Sequence, residues 1–302
     1  MSKKIAGLIA ATHTPFDGQG KIKPEAQEPV VKHLVKNGVT GIFLCGSTGE
    51  SHSLSTEERK EIAAAMIGYA AGKLPVIVHV GHNSLPEAAA LAAHAEETGA
   101  AAVAVSAPSF FKPPRAEELV AFCAEVAAAA PRTPFYYYHI PSRAGGTVSA
   151  LSFLEAAHNR IPNLAGIKYT YEDLMEYQQM IAFADGKYDI MFGRDEILLA
   201  ALGLGATSAI GTTYNYAAPI FRRVWESFDK GDLTEARKWQ LKVVRLVELL
   251  VKYGGLDCSK QIMKIIGFDC GAVRLPNRRL GADEIKFLEK DLHRIDFFAD
   301  AV

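Results

Sequence analysis

No two cysteines sit at C-x-x-C spacing. Cys45, Cys123, Cys258 and Cys270 are scattered along a chain of 302 residues. That spacing argues against zinc frameworks and disulfide scaffolds and for reduced thiols in a cytosolic compartment. Cys45 reads as a small buried hydrophobe. An excess of one charge is also missing. Lys and Arg number 33 against 34 Asp and Glu, a net charge of -1, so nothing draws the chain to nucleic acid or an anionic membrane. No apolar run approaches a membrane span. The start, Met1-Ser2-Lys3-Lys4-Ile5, is interrupted too soon by His13, Pro15 and Asp17 to read as a signal peptide. His79 and His82 resemble a metal-ligand pair but have no third ligand in view. A small molecule is therefore the expected partner, with neither metal nor organic cofactor.

What the chain does contain is a steady alternation of short apolar runs and helical stretches. Strands are expected at Ile5 to Thr12, Gly41 to Cys45, Pro75 to Val80, Ala101 to Ser106, Pro134 to Ile140, Leu164 to Thr170, Tyr188 to Phe192 and Thr207 to Ile210. Each is followed by a helix, such as Pro24 to Asn37 closed by Gly38, or the alanine-rich Ser84 to Thr98 closed by Gly99. Eight such units, with strands apolar enough to be covered on both faces, predict a (β/α)8 TIM barrel over residues 1–230. A doubly wound open sheet would more naturally carry a glycine-rich dinucleotide turn after its first strand, and none is present. Over residues 231–302 the alternation stops. Helices at Leu233 to Lys252, Ser259 to Ile266 and Asp283 to Phe298 form a C-terminal extension, whose expected work is packing or assembly.

In a barrel, chemistry collects where strands end and βα loops begin. The unusual residue there is Lys168, inside the apolar run Leu164-Ala165-Gly166-Ile167-Lys168-Tyr169-Thr170. Burying an ammonium costs several kcal/mol, and a lysine so placed tends to shed its proton and become a nucleophile toward ketones. The alternative is a lysine that snorkels to a strand end or pairs with a carboxylate. Other strand ends add Gly46-Ser47-Thr48-Gly49-Glu50, suited to a carboxylate, and Gly193-Arg194-Asp195-Glu196, suited to a polyol. Gly211-Thr212-Thr213-Tyr214-Asn215 follows the eighth strand. On the fifth strand, alternation puts Tyr136 and Tyr138 on one face and Tyr137 and His139 on the other. That makes Tyr138 a candidate proton carrier beside Lys168, with Thr170 and Gly166 on the lysine's own face.

Gly46-Ser47-Thr48-Gly49-Glu50, Tyr138-His139-Ile140-Pro141 and Gly166-Ile167-Lys168, in this order and spacing, resemble the N-acetylneuraminate lyase and dihydrodipicolinate synthase family of class I aldolases. The resemblance spans the chain. It implies a barrel with a helical C-terminal extension, assembled as a tetramer of paired dimers, and pyruvate chemistry through a Schiff base on Lys168. Ser47-Thr48 and Phe135 to Pro141 resemble the lyase branch, which implies cleavage of N-acetylneuraminate to N-acetylmannosamine and pyruvate. It further implies Ser47, Thr48 and Gly49 on the carboxylate, Tyr138 and Thr170 on the proton path, and Gly193, Asp195, Glu196, Gly211 and Thr212 at the sugar chain. Two features depart from that branch. Arg143 matches an arginine that the synthase branch uses for a substrate carboxylate, which keeps condensation of pyruvate with aspartate semialdehyde, or cleavage of another 2-oxo-3-deoxy sugar acid, in play. Phe110-Phe111 stands where many members have a tyrosine shared across a subunit contact.

Overall fold

The computed structural model describes residues 4–146 and 148–301. Its strands are β1 (Gly7–Ala11), β2 (Gly41–Leu44), β3 (Val76–His79), β4 (Ala102–Ser106), β5 (Phe135–His139), β6 (Leu164–Tyr169), β7 (Asp189–Phe192) and β8 (Ser208–Gly211). All pair in parallel in chain order, and β8 returns to β1, so the sheet closes as the TIM barrel that the alternation predicted.

Period two divides the strand side chains between two layers. Ile9, Phe43, Ile77, Ala104, Tyr136, Tyr138, Met191 and Ile210 fill the barrel interior. Residues between them, including Tyr137 and Tyr169, pack outward against the helices in a second apolar layer. The close helix–barrel fit rests on alanines, with Ala88, Ala92 and Ala95 fully buried in the helix Leu85–Glu97.

Several helices start where a side chain can satisfy the free N–H groups of the first turn. Ser55 forms a capping box with Glu58, and Asp173 accepts from the amides of Met175 and Glu176. The stretches expected as helices from Pro24 and from Asp195 instead open in tighter 3-10 turns, Pro24–Ala26 and Asp195–Ile197, before the α-helices begin. The sequence reading missed a one-turn helix at Pro141–Ala144. Proline at its first position and Gly145 at φ +64° just after it are its start and stop.

Helix Tyr214–Asp229 ends the barrel, and Leu233–Lys252 packs along it through Trp239, Val243 and Leu246. Helices Leu256–Ile265, Ala282–Arg294 and Phe297–Ala301 follow. The last two were expected as one, but Asp296 takes a left-handed conformation (φ +56°) between them.

On β6, Gly166 lies opposite Asp189 of β7, and a Cβ built on it would stand 1.8 Å from the Asp189 carbonyl oxygen. Gly166→Ala is therefore expected to lower stability by at least ~2 kcal/mol, read as a shifted urea midpoint; an unchanged midpoint would show that the strand pair can part without cost.

Candidate active site

Lys168 occupies the register position between Tyr138 on β5 and Met191 on β7. It is 4% exposed, with Nζ 3.7 Å from the Phe43 ring centroid and 4.0 Å from that of Tyr138. Among the described residues it forms no ion pair, and the attraction of Asp195 is felt only at longer range. Burial therefore dominates and lowers its pKa to about 7, which leaves a large fraction of free amine near neutrality. A second buried lysine, Lys260, makes the contrast. Its Nζ is 2.8 Å from Glu50 Oε1, and that partner opposes the downward pull of burial. Lys260 has a carboxylate at ion-pair distance; Lys168 has none among the described residues.

The Tyr138 phenol lies 3.5 Å from Ser47 Oγ. Burial raises its pKa, while the hydroxyls of Ser47 and Thr170 and the charge of Arg143 pull it back down. In front of it opens a cavity of about 520 Å³, of a size that holds small-molecule ligands, lined among others by Ser47, Thr48, Tyr138, Arg143 and Thr212. Thr48 and Thr212 bridge loops two and eight through a 2.6 Å hydroxyl–hydroxyl bond. The far wall comes from the extension, through Leu250, Gly254, Leu256, Ser259 and Asn277. The extension was expected to serve packing or assembly; it also encloses the cavity.

Lys168 and the remaining expected residues stand beside the cavity rather than on its wall. Asp195 is buried and accepts from the Thr213 hydroxyl at 2.6 Å and the Thr213 amide at 3.3 Å. Desolvation raises its pKa to about 6, the Thr213 bonds working against that rise. Gly211 and Gly193 are there to make room. A Cβ on Gly211 would lie 2.1 Å from Asp195 Oδ1, and one on Gly193 would lie 2.2 Å from Thr170 Oγ1. The Thr170 hydroxyl is buried beside Tyr138, close enough to lower its pKa, but makes no hydrogen bond of good geometry among the described residues. Glu196 is partly buried, with Oε1 3.3 Å from Arg194 Nε. Gly49 closes the turn after the second strand, its carbonyl accepting from Thr14 Oγ1 at 2.7 Å.

His79 is fixed by its neighbours: Nδ1 bonds to the Cys45 carbonyl at 3.0 Å and Nε2 to Ser106 Oγ at 3.1 Å. Burial and the nearby Arg59 charge hold it well below its usual pKa, so it is neutral and donates from Nδ1. His82 Nδ1 accepts from the Ser84 amide. Among the described residues no three His, Cys, Asp or Glu side chains group as metal ligands. Cys45 is buried, its thiol pushed up to about 11, in keeping with a packing role. It is nonetheless strained. Cys45 at φ +54° and Glu50 at φ +55° bracket the Gly46-Ser47-Thr48-Gly49 turn, and such left-handed residues cost about 1–3 kcal/mol each.

Sequence reasoning missed Arg59, whose guanidinium donates to the carbonyls of His79 and Gly81. It also missed Lys260, Arg274 and Asn277, which come from the extension to contact Glu50. Of these, only Lys260 carried a sequence signal, a lysine inside the apolar face of a helix.

The chain is thus a closed parallel barrel with a buried lysine, free of any ion pair among the described residues, near the end of its sixth strand. The chain belongs to the dihydrodipicolinate synthetase family, whose profile matches residues 4–295. It is 39% identical to the N-acetylneuraminate lyase of Mus musculus over 302 residues, covering 98% of this chain and 94% of that one. The N-acetylneuraminate lyase of Proteus mirabilis superposes with a TM-score of 0.95 at 40% identity, covering 98% and 100% of the two chains. A Ruminococcus gnavus sialic acid aldolase, solved as a catalytic lysine mutant, superposes at 0.92 with 31% identity, covering 99% and 98%.

The lowered pKa of Lys168 has a stability consequence. Between pH 10.5 and about 7 the unfolded chain holds a proton that the folded chain lacks, so the folded state grows less favoured as pH falls through that window. Lys168→Met removes the penalty and is expected to stabilise the protein at pH 7 by on the order of 4 kcal/mol, a gain that fades toward pH 10.5. Calorimetry at the two pH values checks this; a destabilised variant at pH 7 contradicts it.

Proposed function

We propose that the protein is a class I aldolase that cleaves N-acetylneuraminate to N-acetylmannosamine and pyruvate. The observation that carries this reading is the buried Lys168 amine, free of any ion pair, in register with Tyr138. The lyase relatives and the sialic acid aldolase solved as a catalytic lysine mutant support it.

The amine of Lys168 attacks the C2 ketone of the open-chain acid. Tyr138 gives its proton to the departing water, which leaves an iminium on the lysine and a phenolate beside it. The phenolate takes the C4 hydroxyl proton, and the C3–C4 bonding pair flows into the iminium. N-acetylmannosamine departs as the aldehyde and a pyruvate enamine remains. Protonation at C3 and attack of water on the iminium release pyruvate and restore the amine. Ser47, Thr48 and the Gly49 amide hold the carboxylate, Thr170 supports the proton path, and Gly193, Asp195, Glu196, Gly211 and Thr212 hold the sugar chain. Exposed Phe110 and Phe111, packed edge to face, suit a contact between copies of the chain, in keeping with a homotetramer, and four buried free cysteines suit the cytoplasm.

One observation favours a second reading. Arg143 reaches the cavity and suits a second carboxylate, as in condensation of pyruvate with aspartate semialdehyde or cleavage of an acidic 2-oxo-3-deoxy sugar. A coupled assay for pyruvate release from N-acetylneuraminate, beside a panel of 2-oxo-3-deoxy acids and the condensation, separates them. N-acetylneuraminate is expected to lead, and turnover confined to the condensation overturns the proposal.

Two further outcomes follow from the groups in place. Tyr138→Phe is expected to cost about 10²-fold or more in turnover while a pyruvate adduct still forms; wild-type turnover would remove Tyr138 from the chemistry. Because the free amine attacks, the rate of adduct trapping by pyruvate and cyanoborohydride should rise about tenfold per pH unit below the lysine pKa and level above it, near pH 7. A rate still climbing at pH 9 would mean an ordinary lysine.

A further inference from the structure

Next to the Ser47-Thr48-Gly49 turn, with Glu50 and Ser259 also reaching the cavity wall, lies a buried charged cluster that the chemistry above does not use. The Glu50 and Lys260 side chains are both fully buried, with Lys260 Nζ 2.8 Å from Glu50 Oε1. Glu50 Oε2 accepts from the Arg274 backbone amide at 2.9 Å. Lys260 Nζ also donates to the Thr14 carbonyl at 2.9 Å, and Thr14 Oγ1 donates to the Gly49 carbonyl at 2.7 Å. Next to Lys260, Ser259 bonds His13 Nε2 at 2.8 Å. Burial and the Lys260 charge lower the His13 pKa to about 3, so at neutral pH His13 adds no charge to the pair.

Stability does not explain such a pair. Taking two charges out of water costs about as much as their attraction returns, and apolar replacements are often neutral. What the pair does gain is a fixed geometry for a strained turn whose own backbone bonds, Glu50 N–H to the Ser47 carbonyl at 3.2 Å and Ser51 N–H to the Gly46 carbonyl at 3.3 Å, are long. The turn is bracketed by left-handed Cys45 and Glu50, and Gly49 is pressed so close that a Cβ would lie 3.0 Å from Cys45 Cα. Glu50 and Gly49 end the turn, and both are gripped from outside it: Glu50 by Lys260 and Arg274, Gly49 by Thr14, which Lys260 also holds. The grip on the carboxylate of Glu50 comes from helix Leu256–Ile265 and the segment after it, more than 200 residues away in sequence.

We propose that Lys260 is a positioning residue for the anion subsite. Through Glu50 and Thr14 it holds the Ser47–Gly49 turn so that two hydroxyls and the Gly49 amide converge on the carboxylate of the 2-oxo acid. The proposal rests on the aldolase reading. Its signature is weakened capture of pyruvate without a matching loss in the covalent step at Lys168.

The test compares the wild-type protein with Lys260→Met and with the double variant Glu50→Gln/Lys260→Met, which leaves no lone buried charge and so keeps the fold testable. Two quantities are read from pyruvate-dependent inactivation by cyanoborohydride: the pyruvate concentration at half-maximal rate and the rate at saturation. Both variants are expected to need about tenfold more pyruvate or beyond, with the saturated rate within about threefold of wild type. A double variant that melts as wild type and keeps the wild-type half-saturating concentration overturns the proposal. An equal fall in the saturated rate with no change in that concentration overturns it too. Absence of any pyruvate adduct in the wild-type protein is a different result, and it refutes the aldolase reading itself.

Discussion

The amine of Lys168 rests against the rings of Phe43 and Tyr138 with no carboxylate at ion-pair distance among the described residues. Aromatic faces soften the cost of a cation there without cancelling it, so the free amine becomes accessible near neutral pH. Much of the surrounding structure serves that environment. Interior packing of Phe43, Tyr138 and Met191 keeps water from the amine. Glycines at 193 and 211 bring Thr170 and Asp195 close, and the extension roofs the cavity.

Lys168 and Lys260 show how one residue type serves opposite ends. Both are buried, and both feel desolvation first. Glu50 beside Lys260 keeps that charge in place and turns it into a clamp. Lys168 has its nearest carboxylate, Asp195, engaged by Thr213 and itself raised to about 6. The difference between a structural cation and a nucleophile is thus made by where the acids stand.

Most of the fold was legible in the sequence because it rests on local signals. Strand runs, capping residues such as Ser55 and Asp173, and glycines closing helices recur in register, and the eight strands fall where these signals put them. Period two also placed Tyr138 against Lys168 and sent Tyr137 and His139 outward. Contacts between distant segments left no such mark. Nothing near Glu50 announces Lys260 or Arg274, and nothing in residues 231–302 announces a wall of the cavity. Asp195 was legible as an unusual acid at a strand end. Its bond to Thr213 was not, because that bond depends on two loops meeting.

The central claim is that Lys168 is the nucleophile, and peptide mass mapping after borohydride reduction in the presence of pyruvate tests it most directly. The account predicts a reduced pyruvate adduct on the peptide containing Lys168, lost in Lys168→Ala. An adduct at Lys260 or another lysine, or activity retained in Lys168→Ala, would contradict it.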